Sequence, residues 1–248
     1  MLDADFSQFA GYDLVMGGSP CTFWSVAKAR RELDKGGTGW KLFMRFMDAV
    51  RQIKPRFFLY ENVTAMPKNI RAYISEEFGC EPIQINSALV SAQHRKRLYW
   101  TNIQGITQPE GKGILVRDIL ESGLTAREKS HSVFDTPVQV GAFATGGLGN
   151  RIYSVHGKTV SLMAHGGGGG AKTGMYKLAL PDGNYLIRKL TPTEAERCQT
   201  LPDDYTALGM FDDGTTVNIS NAQRYRAIGN GWTVAVIAHI LSHMAIGG

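Results

Sequence analysis

Leu14-Val15-Met16-Gly17-Gly18-Ser19-Pro20-Cys21 decides how this chain is read. The apolar run has the length of a buried strand, and the Gly/Pro turn behind it leaves a cysteine at the strand's carboxyl end. In open α/β sheets that edge is where ligands bind. A cysteine there is placed as a nucleophile would be, although a lone Pro-Cys is more often structural, because a small thiol packs well. About twenty residues precede Cys21, too few for the strand, glycine loop and helix that usually hold a cofactor. The sequence therefore reads as opening partway through its fold.

Working outward, residues 13–16 read as a buried strand, and Phe57-Phe58-Leu59-Tyr60 as a second that ends at Glu61-Asn62-Val63. Leu42, Phe43, Phe46, Met47, Val50 and Ile53 recur at a helical period until Pro55 stops them. A second helix is expected over 70–78, and strands over 83–90 and 98–103 joined by 91–97. Strands alternating with helices predict a mostly parallel α/β sheet. Residues 22–40 are polar, carry Lys28, Arg30, Arg31 and Lys35 and end in Gly36-Gly37-Thr38-Gly39, the composition of a mobile loop. Past residue 106 glycine concentrates, at Gly146, Gly147, Gly149 and the run 166–170. One short helix (115–120) is expected there among short strands and loops. Thr191–Cys198 reads as a helix with Pro192 in its first turn and Glu194 as capping-box partner of Thr191. A last helix is expected over 233–244, behind Gly229-Asn230-Gly231.

The 248 residues are enough for one large domain or two modest ones, and 43% hydrophobic with 20% charged residues is a globular balance. A net charge of +5 suits a nucleic-acid partner without proving one. Cys21, Cys80 and Cys198 are far apart with no Cys-x-x-Cys, which argues against a disulfide framework or zinc site and for a reducing, cytoplasmic setting. The start is acidic rather than a signal peptide, and no stretch approaches the roughly 18 apolar residues of a membrane span. His239 and His243 stand at i and i+4 but lack an obvious third ligand, so no metal site is expected.

Four clusters follow in order: Pro20-Cys21, Glu61-Asn62-Val63, Gln93-x-Arg95-x-Arg97 and Gly229-Asn230-Gly231. Each alone has an ordinary structural reading as a packed thiol, a cap, a solvated face or a turn. Together they resemble the DNA cytosine-5 methyltransferases. Arg188-x-Leu190-Thr191-Pro192-x-x-Glu194 with Arg197 and Gln199 looks like that family's segment behind the target-recognition region, and Ala227-Ile228-Gly229-Asn230 like its last motif. The likeness runs from about Tyr12 to Leu241. Residues 151–176 look most like solitary phage and bacterial members.

The resemblance implies a chemistry. Cys21 as thiolate would add to C6 of a flipped-out cytosine, since C5 alone is a poor nucleophile. Glu61 would relieve charge at N3 as a general acid. Arg95 and Arg97 would orient Glu61, hold the base or a phosphate, and favour the thiolate. The methyl group would come from S-adenosylmethionine, held by Pro20, Asn230 and Trp232. The loop 22–39 would be a lid, with Ser25, Arg30 and Arg31 meeting double-stranded DNA as it closes. A catalytic domain of residues 1–105 with 225–248 is expected, and a mostly β target-recognition domain of 106–224, where Arg151, Lys158, Lys172 and His165 offer DNA contacts. Restriction–modification is one setting for such an enzyme. A thiol hydrolase fits less well, because it has no use for the Glu-Asn-Val and Gln-x-Arg-x-Arg clusters.

Against the family pattern, the Phe-x-Gly-x-Gly loop, the acidic ribose ligand and the adenine strand are not found here. The expected fold is thus a partial doubly wound, Rossmann-like α/β sheet without its first strands, with residues 13–16 as an open apolar edge. A truncated start, a split enzyme completed by a complementing subunit, and a non-catalytic DNA-binding or partner-binding relative all remain open. The intact Cys21, Glu61, Arg95 and Arg97 argue against the last.

Overall fold

A computed structural model describes residues 4–25, 30–121, 134–143, 148–163, 173–180 and 182–244. The chain forms two compact units. The first comprises Met1–Ile85, Lys96–Gln108 and Ile240–Gly248, the second Asn86–Arg95 and Pro109–His239.

In the first unit, strand β1 (Leu14–Gly17) leads through a 3-10 turn, Cys21–Phe23, toward helix α1 (Thr38–Ile53). Strand β2 (Phe57–Val63), helix α2 (Lys68–Phe78), strand β3 (Ile83–Asn86) and strand β4 (Lys96–Thr101) follow. The sheet order is β1-β2-β4-β3. β1 runs parallel to β2, with Leu14 opposite Phe57 and Gly17 opposite Tyr60. β2 and β4 are antiparallel, with Glu61 opposite Tyr99 and Val63 opposite Arg97. The expectation of a mostly parallel sheet is corrected on this point. Parallel neighbours need a crossover of a dozen or more residues, usually a helix. The link from β3 to β4 holds only a 3-10 turn, Ser87–Leu89.

α1 begins four residues earlier than the apolar period suggests, because Glu32 supplies its cap. The Glu32 carboxylate accepts the Thr38 and Gly39 N–H groups at 3.1 and 2.8 Å. Those are orphan donors at the positive end of the helix dipole. The helix buries Trp40, Phe43, Met47, Ala49 and Ile53. Trp40, Phe43 and Met47 join Trp24, Tyr60, Ile70, Ile74, Leu98 and Trp100 in one core, each large side chain stabilising the fold by about 1.5–3 kcal/mol. Gly79 closes α2 in the left-handed region (φ +66°), where a side chain would be strained. Among the described residues β1 pairs on one side only, and Phe9, Tyr12 and Met16 around it are 42%, 63% and 39% exposed.

In the second unit, strands β5 (Gln139–Ala142), β6 (Arg151–Ser154), β7 (Met175–Ala179) and β8 (Tyr185–Arg188) form a sheet in that order. The β6–β7 pair is parallel and the outer two pairs are antiparallel. Helix α3 (Pro192–Cys198), a hairpin of β9 (Leu208–Met210) and β10 (Thr216–Asn218), helix α4 (Asn221–Asn230) and helix α5 (Val234–Leu241) complete the described elements. Residues 115–120 hold a 3-10 turn, Val116–Ile119, in place of the expected helix. Tyr153, Tyr176, Leu178, Val116, Leu190, Cys198 and Ile228 share the core. No described helix is long and apolar enough to cross a membrane.

The compact units divide the chain differently from the expected domains. Asn86–Arg95 belongs to the second unit because its polar groups are satisfied there. Thr159 N–H donates to Ala92 O at 2.7 Å and His94 N–H to Thr159 O at 2.9 Å. Ser87 Oγ lies 2.8 Å from Thr233 Oγ1.

The α3 terminus is as the sequence predicts. Thr191 Oγ1 accepts Glu194 N–H at 3.2 Å, and Thr191 N–H donates to Glu194 Oε2 at 2.8 Å. Arg188 holds the same carboxylate with two nitrogens at 2.7 and 2.6 Å, and Glu121 N–H adds a bond at 3.1 Å. Burial pushes the Glu194 pKa up, but these donors outweigh it and hold the carboxyl below its ordinary 4.5. Its contribution to stability is therefore full above that ordinary value and is lost as pH falls through the lowered one. Glu194→Gln is expected to destabilise the protein by about 3–5 kcal/mol at neutral pH, since it strands a half-buried guanidinium. Urea melts of both proteins should converge as the pH falls below that ordinary value; a pH-independent gap would contradict this assignment.

Candidate active site

Parallel pairing of β1 with β2 sets the carboxyl ends of both strands side by side. Cys21 therefore begins its 3-10 turn next to the strand end that carries Glu61. The turn is closed by Trp24 and Ser25 N–H groups on Cys21 O at 3.1 and 2.8 Å. Gly18 makes the approach possible. A Cβ there would lie 2.6 Å from Glu61 O and 3.4 Å from Glu61 Oε2. Beneath the turn is a polar knot. Ser19 Oγ lies 2.5 Å from Tyr60 Oη. Asn62 Nδ2 donates to Ser19 O, Ser19 Oγ and Tyr60 Oη at 3.2, 3.3 and 3.3 Å.

Glu61 is held from the other neighbouring strand. Arg97 Nε meets Glu61 Oε1 at 2.9 Å, with the two side chains 14% and 13% exposed. Arg97 also donates to Lys96 O at 2.8 Å. The structure thus brings together the Cys21 turn, Glu61 and Arg97 within the first unit. Cys21 is half-buried. Burial raises the pKa of Cys80, and pushes that of the fully buried Cys198 up to about 12, which keeps both as thiols.

The described residues behind Cys21 are tethered at several points. Trp24 is fully buried, and Glu32 N–H donates to Phe23 O at 3.0 Å. Arg31 donates to Ala65 O at 2.9 Å, just past the Glu-Asn-Val motif, and Asn69 donates to Leu33 O. Lys35 lies over the Trp40 and Tyr73 rings at 5.0 and 4.5 Å. Arg30 is exposed and Ser25 half-buried. Lys28 is outside the described residues. In the sequence Gly18 and Ser19 stand only as part of the motif around Cys21, and neither Tyr60 nor Glu32 is singled out. Tyr60 was detectable as the i−2 neighbour of Asn62 on one strand face. Glu32 had no such signal, because its cap is formed from outside the helix.

The second unit gathers the remaining motifs. Gln93 Nε2 donates to Gln199 Oε1 and Cys198 O at 3.1 and 3.3 Å, and its Oε1 accepts Leu162 N–H at 2.8 Å. Arg95 is buried and donates to Leu162 O at 2.9 Å and to Gly229 O and Gly231 O at 3.2 and 3.1 Å. Gln199 Nε2 donates to Ile228 O and Gly231 O at 2.7 and 3.1 Å. Arg95 thus fastens the backbone around Asn230, which is exposed at the end of α4, with Trp232 half-buried beyond it.

Of the expected DNA contacts, Arg151 is half-buried at the start of β6. Lys172, His165 and the glycine run 166–170 lie outside the described residues. Lys158 is corrected. It is 0% exposed, and its ammonium donates to Ala88 O, Ser91 O and Ile114 O at 2.7, 3.1 and 2.6 Å. Desolvation lowers its pKa. Three carbonyls satisfy the charge, so none is left for phosphate. Among the described residues no cluster of three or more His, Cys, Asp or Glu side chains can hold a metal.

The family model of the C-5 cytosine-specific DNA methylases matches residues 2–112 and 144–245. The chain belongs to that family. It is 28% identical over 264 residues to the type II methyltransferase M.HhaI of Haemophilus parahaemolyticus, covering 92% of this chain and 74% of the relative. To M.BspRI of Lysinibacillus sphaericus it is 25% identical, over 90% of this chain and 58% of that one. The fold is similar to the solved S. pombe Dnmt2 methyltransferase, with a TM-score of 0.58 and 17% identity over 96% of this chain and 82% of that one. It is similar also to the Entamoeba histolytica methyltransferase EhMeth, at 0.59 and 16% over 93% and 76%.

Removing the Lys158 ammonium is expected to act on stability rather than on DNA. Lys158→Met leaves three buried carbonyls short of a donor and should lower the urea midpoint, at about 1–3 kcal/mol for each group left unsatisfied. The slope of log Kd against log salt for duplex DNA should match the wild type, whereas loss of a phosphate contact would reduce it by about one.

Proposed function

We propose that this chain carries the catalytic centre of a DNA cytosine-5 methyltransferase, acting on a flipped cytosine in double-stranded DNA. The observation that supports it most is the Glu61–Arg97 pair set beside the Cys21 turn by two adjacent strand pairings. Cys21 as thiolate bonds to C6. The C5=C6 π pair moves toward C4, and the C4=N3 pair moves to N3, which takes the proton of the Glu61 carboxyl. Glu61 is left as a carboxylate beside the Arg97 guanidinium, which steadies the charge in a water-poor setting. The adduct carries electron density at C5 that can take up a hydrogen ion from solvent or a methyl group. Loss of the original C5 proton to solvent, return of the N3 proton to the Glu61 carboxylate and expulsion of the Cys21 thiolate restore the base.

S-adenosylmethionine is the proposed donor and supplies an electrophilic methyl group when bound, with Pro20, Asn230 and Trp232 as its neighbours. The described residues of the first unit do not by themselves fit that molecule. Gly17 and Gly18 serve packing, since Cβ atoms there would meet Phe46 at 2.9 Å and Glu61 O at 2.6 Å. Pro20, exposed at the end of β1, brings no polar side chain. No step is derived through the donor. The open edge of β1 and the exposed Phe9, Tyr12 and Met16 support a donor seat completed by further strands laid against it. A complementing subunit is one source of such strands. Arg30, Arg31, Ser25 and Arg151 are the proposed DNA contacts, Arg95 a support for the Asn230 turn.

Addition of Cys21 needs no methyl donor, so it is measurable alone. Genomic duplex DNA tritiated at cytosine C5 should release tritium to water on incubation with the protein. Cys21→Ser and Glu61→Gln are expected to cut that rate by about 10²–10⁴-fold. Undiminished release by Cys21→Ser would remove Cys21 as nucleophile. Salt-sensitive DNA binding without release in any protein would favour a binding relative.

A further inference from the structure

We propose that Tyr60 is a positioning residue for the Cys21 sulfur, acting through the Ser19 hydroxyl. The inference rests on the reading of Cys21 as the nucleophile. Tyr60 is fully buried, and its ring is boxed by Phe43, Phe46, Phe78 and Trp100 at centroid distances of 5.3, 5.1, 5.6 and 5.9 Å. A ring held on several sides cannot swing, so its hydroxyl is a fixed point. A buried hydroxyl without a partner would cost stability, and Ser19 Oγ meets this one at 2.5 Å, with Asn62 Nδ2 at 3.3 Å.

The neighbours fix the amide that meets this pair of hydroxyls. Asn62 Oδ1 accepts Val63 N–H at 2.9 Å, which fixes the amide and leaves Nδ2 facing Tyr60 and Ser19 as donor. Tyr60 Oη therefore accepts from Asn62 and shares one proton with Ser19 Oγ, for which either hydroxyl can be the donor. Burial, which pushes the Tyr60 pKa up to about 12, keeps the phenol protonated. From Ser19 to Cys21 the chain passes only through Pro20, whose ring pins φ at −52°. The link from a rigid ring to the reactive sulfur thus has little freedom. An ordinary buried tyrosine would satisfy its hydroxyl on any carbonyl; this one reaches across 41 residues to the turn that presents the nucleophile.

The experiment compares Tyr60→Phe, Ser19→Ala and the double variant in tritium release from C5-labelled duplex DNA. Each single variant should release about tenfold more slowly at saturating DNA, as small misplacements of a reacting group do. Half-saturation should stay within about twofold, and the double variant should be no slower than either single one, since both remove one contact. Losses that multiply, rates within about twofold of wild type, or a change confined to half-saturation would overturn the proposal. Should Tyr60→Phe fail to fold, Ser19→Ala set against the hydroxyl-keeping Ser19→Thr decides it. Absence of release from the wild type would fail the catalytic reading instead. Alkylation of Cys21 by iodoacetamide would then report the positioning: equal, non-additive changes in the three variants support it, and unchanged rates overturn it.

Discussion

The register of β1 on β2 is the constraint on which the candidate site depends. Parallel strands put both carboxyl ends at one edge, and Gly17 opposite Tyr60 sets the Ser19-Pro20-Cys21 turn against the last residues of β2. A one-residue slip would turn Tyr60 and Asn62 to the other face of the sheet and expose the aromatic core. The same slip would draw Glu61 into it. The antiparallel β4 then brings Arg97 to Glu61 from the opposite side. Three strands thus set side by side what the turn alone could not: a thiol, a carboxylate and a guanidinium.

The second unit is organised around satisfied buried polar groups rather than a strand register. Gln93, Arg95, Gln199 and Lys158 are all buried, and their polar atoms are bonded to the backbone, to one another or to Thr233. Low dielectric strengthens such bonds and makes an unpaired member costly. Segments far apart in sequence, around residues 93, 199 and 230, are consequently locked together. Residues that read as a catalytic motif in the sequence are split here by role. Arg97 faces Glu61, while Arg95 anchors carbonyls near Asn230.

What was legible in the sequence was local. The Phe57–Tyr60 run, the apolar period from Leu42 to Ile53 and the Thr191/Glu194 capping box each state their element within a few residues, and each formed. The box of Ser220 with Gln223 announces α4 in the same way and was there to be read. The catalytic motifs were legible as types of chemistry. What was not legible depends on distant partners. Lys158 looks like any surface lysine until three carbonyls from residues 88, 91 and 114 converge on it. The antiparallel turn of β4 depends on a link with no helix in it. Glu32 lies six residues upstream of the helix it caps, beyond any local capping rule.

That cap has a further consequence. Glu32 is bonded through its N–H to Phe23 and through its carboxylate to α1, so the stretch between them is pinched off at its base. Insertion of residues within such a loop costs only about 0.6 kcal/mol per doubling of its length. Residues added next to the exposed Arg30 therefore cost the fold little, while the buried Trp24 and the Arg31–Ala65 bond hold the chain on either side. The sulfur next to the pinch would hardly register the change, so the chain there can diverge while the residues packed around the Cys21 turn stay put.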